Sequence, residues 1–354
     1  MTMQAVVTMG QGGYEQLAWR QVPRPRPGPG EVLLQVLAAG VNNTDINTRV
    51  GWYGAAAQDT GAGAPPPTEA TLSGWQGATP FPLIQGADCC GRVVARGAGV
   101  PEALQGRRVL VQSCMPRSAG GRDSAWLGTD FDGAFAQFVK VPADAVHPVE
   151  TPWSDAELAT IPCAYGTAEN MLQRAAVGPG DRVLVPGASG GVGSAVLQLA
   201  RLRGAEVLAV TTRDKADALR ALGAQQVFAR EDPLDQLPGP ASVDVVVDNV
   251  GGAGFATRLR LLRRGGRYVT SGAIAGADVP LDLRALYLQD RTLFGCTAWD
   301  AGVFARVVQH VERAALRPLV AGVFPLAQIA DAQRAFLTKA HVGNFVLLPP
   351  PPQE

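Results

Sequence analysis

Residues 183–203 read VLVPGASGGVGSAVLQLARLR, and this stretch decides the fold. Val183 to Pro186 is an apolar run of buried-strand length, and Val192 to Arg203 carries apolar residues at helical spacing. Between them lies Gly187-Ala188-Ser189-Gly190-Gly191-Val192-Gly193. A strand that passes through glycines into a helix suits a pyrophosphate. Glycine lets the backbone approach the ligand, and the helix start offers unpaired N–H groups and a positive dipole end. The strict G-x-G-x-x-G has become A-x-G-x-x-G from Ala188, and a turn tightened only for packing would read the same way. Ser189, Gly190, Gly191, Val192 and Gly193 are the candidate phosphate contacts.

Working outward, strand and helix alternate. Glu206 to Thr211 reads as a strand, Lys215 to Leu222 as a helix ended by Gly223, and Val243 to Asp248 as a strand with almost no polar relief. A helix over Phe255 to Arg264 and a strand over Arg267 to Ser271 follow. Continuous apolar strands between helices predict a doubly wound parallel sheet covered on both faces. Before Thr151 the texture differs: short β segments such as Gln4 to Thr8, Glu31 to Ala39 and Arg107 to Gln112 stand between Gly and Pro clusters. Pro23 to Gly30 (PRPRPGPG) reads as a stiff connector, because proline withholds ladder donors. From Val320 onward, isolated strands surround one helix, Leu326 to Leu337. Residues 54–80 show no periodicity, and Trp75 favours a cover over the site; 113–130 reads as a second polar, glycine-rich loop.

The end of the second strand, Thr211-Thr212-Arg213-Asp214-Lys215, bears on the cofactor. A carboxylate there accepts from the ribose 2′-OH of NADH, whereas a 2′-phosphate needs cations and hydroxyls. Thr212, Arg213 and Lys215 outnumber Asp214, which favours NADPH. The alternative is a plain helix start, with Arg213 and Lys215 solvated and Asp214 its N-cap.

Composition narrows the partners. With Lys plus Arg and Asp plus Glu equal at 31 each, no net field draws the chain to nucleic acid or an anionic membrane, so a small-molecule substrate is expected. The opening MTMQAVVTMG lacks a signal pattern and no run of about 18 apolar residues occurs, so a cytoplasmic protein is expected. The five cysteines, Cys89, Cys90, Cys114, Cys163 and Cys296, have no C-x-x-C spacing and lie far from the histidines in sequence. That spacing fits neither a disulfide framework nor a cysteine zinc knuckle.

These residues together resemble the medium-chain dehydrogenase/reductase superfamily, in its zinc-independent quinone oxidoreductase and enoyl reductase branch. The resemblance covers nearly the whole chain. It is carried by Pro27-Gly-Pro-Gly-Glu-Val, Ala39-Gly-Val-Asn-Asn-Thr-Asp, Gly86-Ala-Asp, Asp132-Gly-Ala-Phe-Ala-Gln-Phe-Val, Gly166-Thr-Ala, the turn at 187–193 and His341-Val-Gly-Asn-Phe-Val-Leu. It implies an α/β Rossmann domain inserted in a GroES-like β-rich domain: 1–150 GroES-like, 151–298 Rossmann, 299–354 returning to the first. A cofactor cleft at their junction and a homodimer are implied as well. Where the family's zinc enzymes place ligands, this chain has Asn42 and Asn43, Gly86-Ala87-Asp88, and only Cys163, so no metal is expected and Cys163 is read as a buried apolar residue.

Without a Lewis acid the open chemistry is NADPH-dependent reduction of an activated C=C or a quinone. Asn42, Asp45, Ile46, Asn47, Gly51 and Tyr53 are similar to enoyl thioester reductases. That likeness makes Tyr53 the candidate acid and Asn42 a polar contact in the same pocket, against the plain reading of Tyr53 as a packing residue. Asp45 is read as a structural hydrogen-bonding residue. The resemblance further implies cofactor contacts at Thr167, Asn249, Val250, Gly272, Ala273, Cys296 and Thr297. Asn344 stands where many relatives carry Lys or Arg facing the cofactor phosphates, which shifts that task to the helix N-terminus and to Arg213 or Lys215. The competing readings are a dinucleotide-binding sensor or assembly protein without turnover, and a pathway-specific biosynthetic reductase.

Overall fold

The computed structural model describes residues 1–53, 79–117, 123–234 and 238–352. The insertion expected at 54–80, Trp75 included, lies outside the described residues except for Thr79 and Pro80. Two compact units are present: residues 1–163, 318–340 and 344–354 form one, and residues 164–317 with 341–343 form the other. The division falls at Cys163–Ala164 and Arg317–Pro318 rather than at 150/151 and 298/299, so the helix Val303–Glu312 belongs to the second unit.

The second unit is built on a six-stranded parallel sheet. In spatial order its strands are Gln226–Ala229, Glu206–Thr211, Arg182–Pro186, Val243–Asp248, Leu262–Thr270 and Thr292–Gly295. Counted along the chain this is 3-2-1-4-5-6, the dinucleotide-binding order, whose direction reverses beside the first strand. Register is set by the apolar runs: Val183, Leu184 and Val185 lie beside Val207, Leu208 and Ala209. Each fully buried side chain of this kind contributes roughly 1.5–3 kcal/mol. Helix Gly191–Leu202 is amphipathic, with Ala195, Val196, Leu199 and Ala200 buried.

Two expectations in this unit are corrected. The helix predicted over Phe255 to Arg264 ends at Leu261, and a strand begins at Leu262. Leu262 pairs with Val243, and Arg263 forms an ion pair with Asp244, so tertiary pairing captures residues whose local propensity is helical. Asp214 is not the N-cap of the next helix. A 3-10 turn, Arg213–Lys215, intervenes, and Lys215 occupies the cap of Ala216–Ala221.

The first unit is β-rich. Strand Glu31–Gly40 is its axis, pairing with Cys90–Arg96, Phe138–Pro142 and the C-terminal strand Asn344–Leu348. The seven-stranded sheet continues through Arg108–Val111 and Val146–Pro148 on one side and Val320–Pro325 on the other. Leu34, Val36, Val109, Phe135, Val139, Leu347 and Ile329 form its core. The loop expected at 113–130 instead contains a hairpin, Cys114–Pro116 against Ser124–Trp126, with Trp126 buried at its end. The C-terminal helix begins as a 3-10 turn and is α-helical over Ile329–Leu337. Among the described residues, no helix is long and apolar enough to cross a membrane.

Candidate functional site

In the second unit the candidate cofactor residues other than Thr167 stand at or just beyond strand ends. The glycines of the turn have different physical reasons. Gly187 has φ +64°, where a side chain is strained. At Gly193 a Cβ would fall 2.5 Å from the Gly187 carbonyl oxygen, so only glycine lets the helix sit on the turn. Gly190 is neither: its φ is −73° and a Cβ would meet nothing closer than 3.6 Å. Among the described residues, nothing requires glycine at 190, at the N-cap of the helix Gly191–Leu202, and the space left there is open to a ligand. These residues fit a dinucleotide pyrophosphate, with Ser189, Gly191 and Val192 in the same turn. Ser189 is tied through its carbonyl to the Gly343 N–H at 3.0 Å.

At the end of the second strand, Thr212 opens the 3-10 turn, and its side chain beside Asp214 holds that carboxyl below the usual range. Arg213 is mostly exposed and paired with Asp232 at 2.6 Å. Lys215 is not the solvated residue of the plain reading but is buried, and burial pulls its ammonium pKa down. Beyond the fourth and fifth strands, Asn249, Val250, Gly272 and Ala273 occupy two adjacent, half-buried loops. Gly272, like Gly190, meets only ordinary contacts, the nearest at 3.6 Å. Cys296 is buried, its N–H donating to the Thr270 carbonyl at 2.9 Å, and Thr297 is exposed. Thr167 is half-buried on the helix Pro162–Arg174.

Asn344 directly follows Gly343 in the chain. It is the first residue of a strand in the other unit, buried, with its N–H donating to the Leu319 carbonyl. Its neighbour Gly343, at φ +89°, is the residue that meets the glycine turn.

The first unit gathers a different kind of site around the helix Asn43–Val50. The Asn42 N–H donates to Asp45 Oδ2 at 2.8 Å, and Asp45 Oδ1 accepts from the Ala87 N–H at 3.1 Å. Asp45 is thus a structural anchor joining two chain segments. Asp88, singled out in the sequence only as a departure from a ligand motif, is the other pole. Its Oδ2 accepts from Asn42 Nδ2 at 2.7 Å and its Oδ1 from the Cys163 N–H at 2.6 Å. Gly40 is glycine because a Cβ there would lie 2.4 Å from Asp88 Oδ2. Both carboxyls are pushed up to about 7, by burial at each and at Asp45 also by the charge of Asp88.

Tyr53 follows the left-handed Gly51 (φ +77°), which turns the chain back along the helix. Its hydroxyl accepts from Asn47 Nδ2 at 3.4 Å; burial raises its pKa, while Thr44 and Asn47 oppose the rise. Lys339, unnoticed in the sequence, places Nζ 3.0 Å from Asn43 Oδ1 and 3.7 Å from the Phe336 ring centre, and burial lowers its pKa to about 8. No periodicity marks Asp88 or Lys339; the only signal for Asp88 is an acid set in the apolar run Leu83 to Cys90.

Comparison with known proteins supplies a context. Residues 28–151 match the family model described as alcohol dehydrogenase GroES-like domain, and residues 191–313 match zinc-binding dehydrogenase. An acryloyl-coenzyme A reductase from Metallosphaera sedula is 27% identical over 357 residues, covering 98% of this chain and 99% of that protein. A solved structure from Sinorhizobium meliloti 1021 carrying an alcohol dehydrogenase assignment is 42% identical with a TM-score of 0.89, covering 99% and 97% of the two chains. The crotonyl-CoA carboxylase/reductase AntE, solved in complex with NADP, is 25% identical with a TM-score of 0.81, covering 98% and 94%.

The second family description raises the question of zinc. The donors at the corresponding positions do not suit it: the Asn42 amide is committed to Asp88, Ala87 offers no ligand atom, and Cys163 is a single thiol. Among the described residues, no three His, Cys, Asp or Glu side chains are grouped to hold a metal ion.

Proposed function

The chain belongs to the medium-chain dehydrogenase/reductase superfamily, and from that premise we propose that it is an NADPH-dependent reductase of an activated C=C or a quinone, working without zinc. The observation that carries this reading is the glycine turn left open at Gly190, at the start of its helix; the donor set Asn42, Ala87 and Cys163, poorly suited to zinc, supports its metal-free part. Relatives support the substrate class: one is an acryloyl-coenzyme A reductase and another a crotonyl-CoA carboxylase/reductase in complex with NADP.

When bound, the reduced nicotinamide supplies the hydride. The chain's own residues do the rest. Ser189 and the helix start at Gly191, Val192 and Gly193 hold the pyrophosphate on backbone N–H groups, with Gly190 the point of close approach because its own N–H donates to Gly187, and Thr212, Arg213 and Lys215 take the 2′-phosphate. Arg213 is the adaptable member, since a phosphate can draw it from its exposed pair with Asp232. Tyr53 gives the proton: Asn47 donates to its oxygen, and burial keeps the phenol protonated at neutral pH. Asn42 is a fixed polar group in the same cluster, its N–H donating to Asp45 and its amide to Asp88.

The assembly we assign is a homodimer. Among the described residues, strand Thr292–Gly295 ends the sheet with one edge unpaired, and Leu283, Tyr287 and Leu288, just before it, are 63%, 62% and 52% exposed. Light scattering at the mass of two chains supports this, and a monomer at micromolar concentration contradicts it.

The functional test is steady-state loss of nicotinamide absorbance with enones, enoyl thioesters and quinones. Turnover with at least one class is expected. Tight NADPH binding without turnover on any acceptor would favour a sensor or assembly protein.

A further inference from the structure

We propose that Asp248 is a positioning residue for the nicotinamide half of the dinucleotide, acting by holding Asn249 with its amide N–H groups turned toward the ligand. The assignment rests on the dinucleotide reading above. Sheet order identifies the half concerned. The second strand, whose end carries Thr212 to Lys215, lies on one side of the first strand, and the fourth, which ends at Asp248, lies on the other. A dinucleotide spread across this reversal point places its adenosine beyond the second strand and its other nucleoside beyond the fourth.

Asp248 is buried, and its carboxylate pins the loop that follows. Oδ1 accepts from the Val250 N–H at 2.7 Å and the Gly251 N–H at 3.3 Å. Oδ2 accepts from Arg258 Nε at 3.0 Å and from the Tyr268 hydroxyl, while Arg258 also donates to the Gly251 carbonyl. Gly251 and Gly252, at φ +62° and +64°, make the bend that brings these groups round. The loop is then zipped to the one after the fifth strand: the Ala275 N–H donates to the Val250 carbonyl at 2.8 Å, and the Gly252 N–H to the Gly276 carbonyl at 3.0 Å.

The result is a rigid platform with one side chain oriented on it. Asn249 Oδ1 accepts from Ser271 Oγ at 2.8 Å and from the Ser271 N–H at 3.3 Å. A backbone N–H can only donate, so the amide atom facing it is the oxygen, and Nδ2 is turned the other way. Two N–H donors there suit acceptor oxygens, which a nicotinamide riboside carries as ribose hydroxyls and a carboxamide oxygen. The platform abuts the phosphate turn, since a Cβ on Gly187 would lie 2.9 Å from the Val250 side chain.

The test compares whole and half ligands. Dissociation constants for NADPH and for the adenine-half fragment 2′,5′-ADP are measured on the wild-type chain, Asp248→Asn and Ser271→Ala, with melting temperatures alongside. Asp248→Asn strips the buried Arg258 of its charge partner and can unfold the unit, so Ser271→Ala, which removes only the hydroxyl's bonds to Asn249 and to the Met171 sulfur, keeps the proposal falsifiable. NADPH is expected to weaken about tenfold in each folded variant. The 2′,5′-ADP constant should stay within about twofold, because neither variant touches the adenine half. Equal weakening of both ligands, or no change for NADPH in Ser271→Ala, overturns the assignment. Failure of the wild-type chain to bind either ligand overturns the dinucleotide reading, and this assignment with it.

Discussion

The two candidate sites are made of different materials. Beyond the sheet of the second unit, the candidate groups are chiefly stretches of backbone at strand ends, left open by glycines such as Gly190 and Gly272. Around the helix Asn43–Val50 they are side chains, and the most deeply buried, Asp45 and Asp88, are occupied with one another's neighbours through Asn42. A backbone site is written locally, because glycine spacing between a strand and a helix suffices to build it. A side-chain site depends on residues that meet only after folding: Asn42, Asp88 and Cys163 come from three distant segments.

Substitutions can break or sharpen this contrast. The largest effect is expected at the glycine turn. Gly190→Asp sets a carboxylate where phosphates bind, and NADPH affinity should fall about a thousandfold with the melting temperature unchanged. Gly193→Ala should do the reverse: its Cβ meets the Gly187 carbonyl at 2.5 Å, so thermal stability falls by about 1–3 kcal/mol. A melting temperature lowered equally by both would mean that packing accounts for both glycines.

Next comes the carboxylate pair. Asp45 and Asp88, ordinarily titrating at 3.8, are raised to about 7 in the folded chain. Between those values the native state holds protons that the unfolded chain has released, so stability should fall as pH rises from about 4 to about 7 and level off above. The change should be on the order of a few kcal/mol. Asp88→Asn keeps one acceptor for the Cys163 N–H and should flatten the slope; thermal melts across that range would show whether it does.

Tyr53→Phe should lower kcat for an enone or enoyl thioester about a hundredfold while leaving the NADPH dissociation constant alone. An unchanged kcat would return Tyr53 to a packing role. The smallest effect is expected at Arg213, whose exposed pair with Asp232 is a weak competitor. Arg213→Ala should reduce the preference for NADPH over NADH about tenfold, measured as a ratio of kcat/KM values.

Legibility in the sequence followed the same division. The strands Glu206–Thr211 and Val243–Asp248 have the bounds that their apolar runs predict, and Gly187 to Gly193 stands at the head of its helix. The β-rich unit was read only as a texture, because short strands such as Cys90–Arg96 and Phe138–Pro142 acquire their identity by pairing with Glu31–Gly40. Local signals failed where a distant partner intervened. Leu262 left a helical pattern to pair with Val243, and the alternative reading of Lys215 as a solvated residue missed that packing buries it. Asp248 and Ser271 were invisible as site residues, since their role is to orient Asn249, one by gripping its loop and the other its amide.

The most direct measurement of the central claim is the fate of the hydride. NADPH deuterated at the transferable C4 position is incubated with the chain and an enone or enoyl thioester in chelator-treated buffer, and the product is analysed by NMR. Metal-free hydride transfer predicts one deuterium at the β-carbon and a solvent-derived proton at the α-carbon, at a rate the chelator does not change. A product with no deuterium, or turnover that the chelator abolishes and zinc restores, would contradict it.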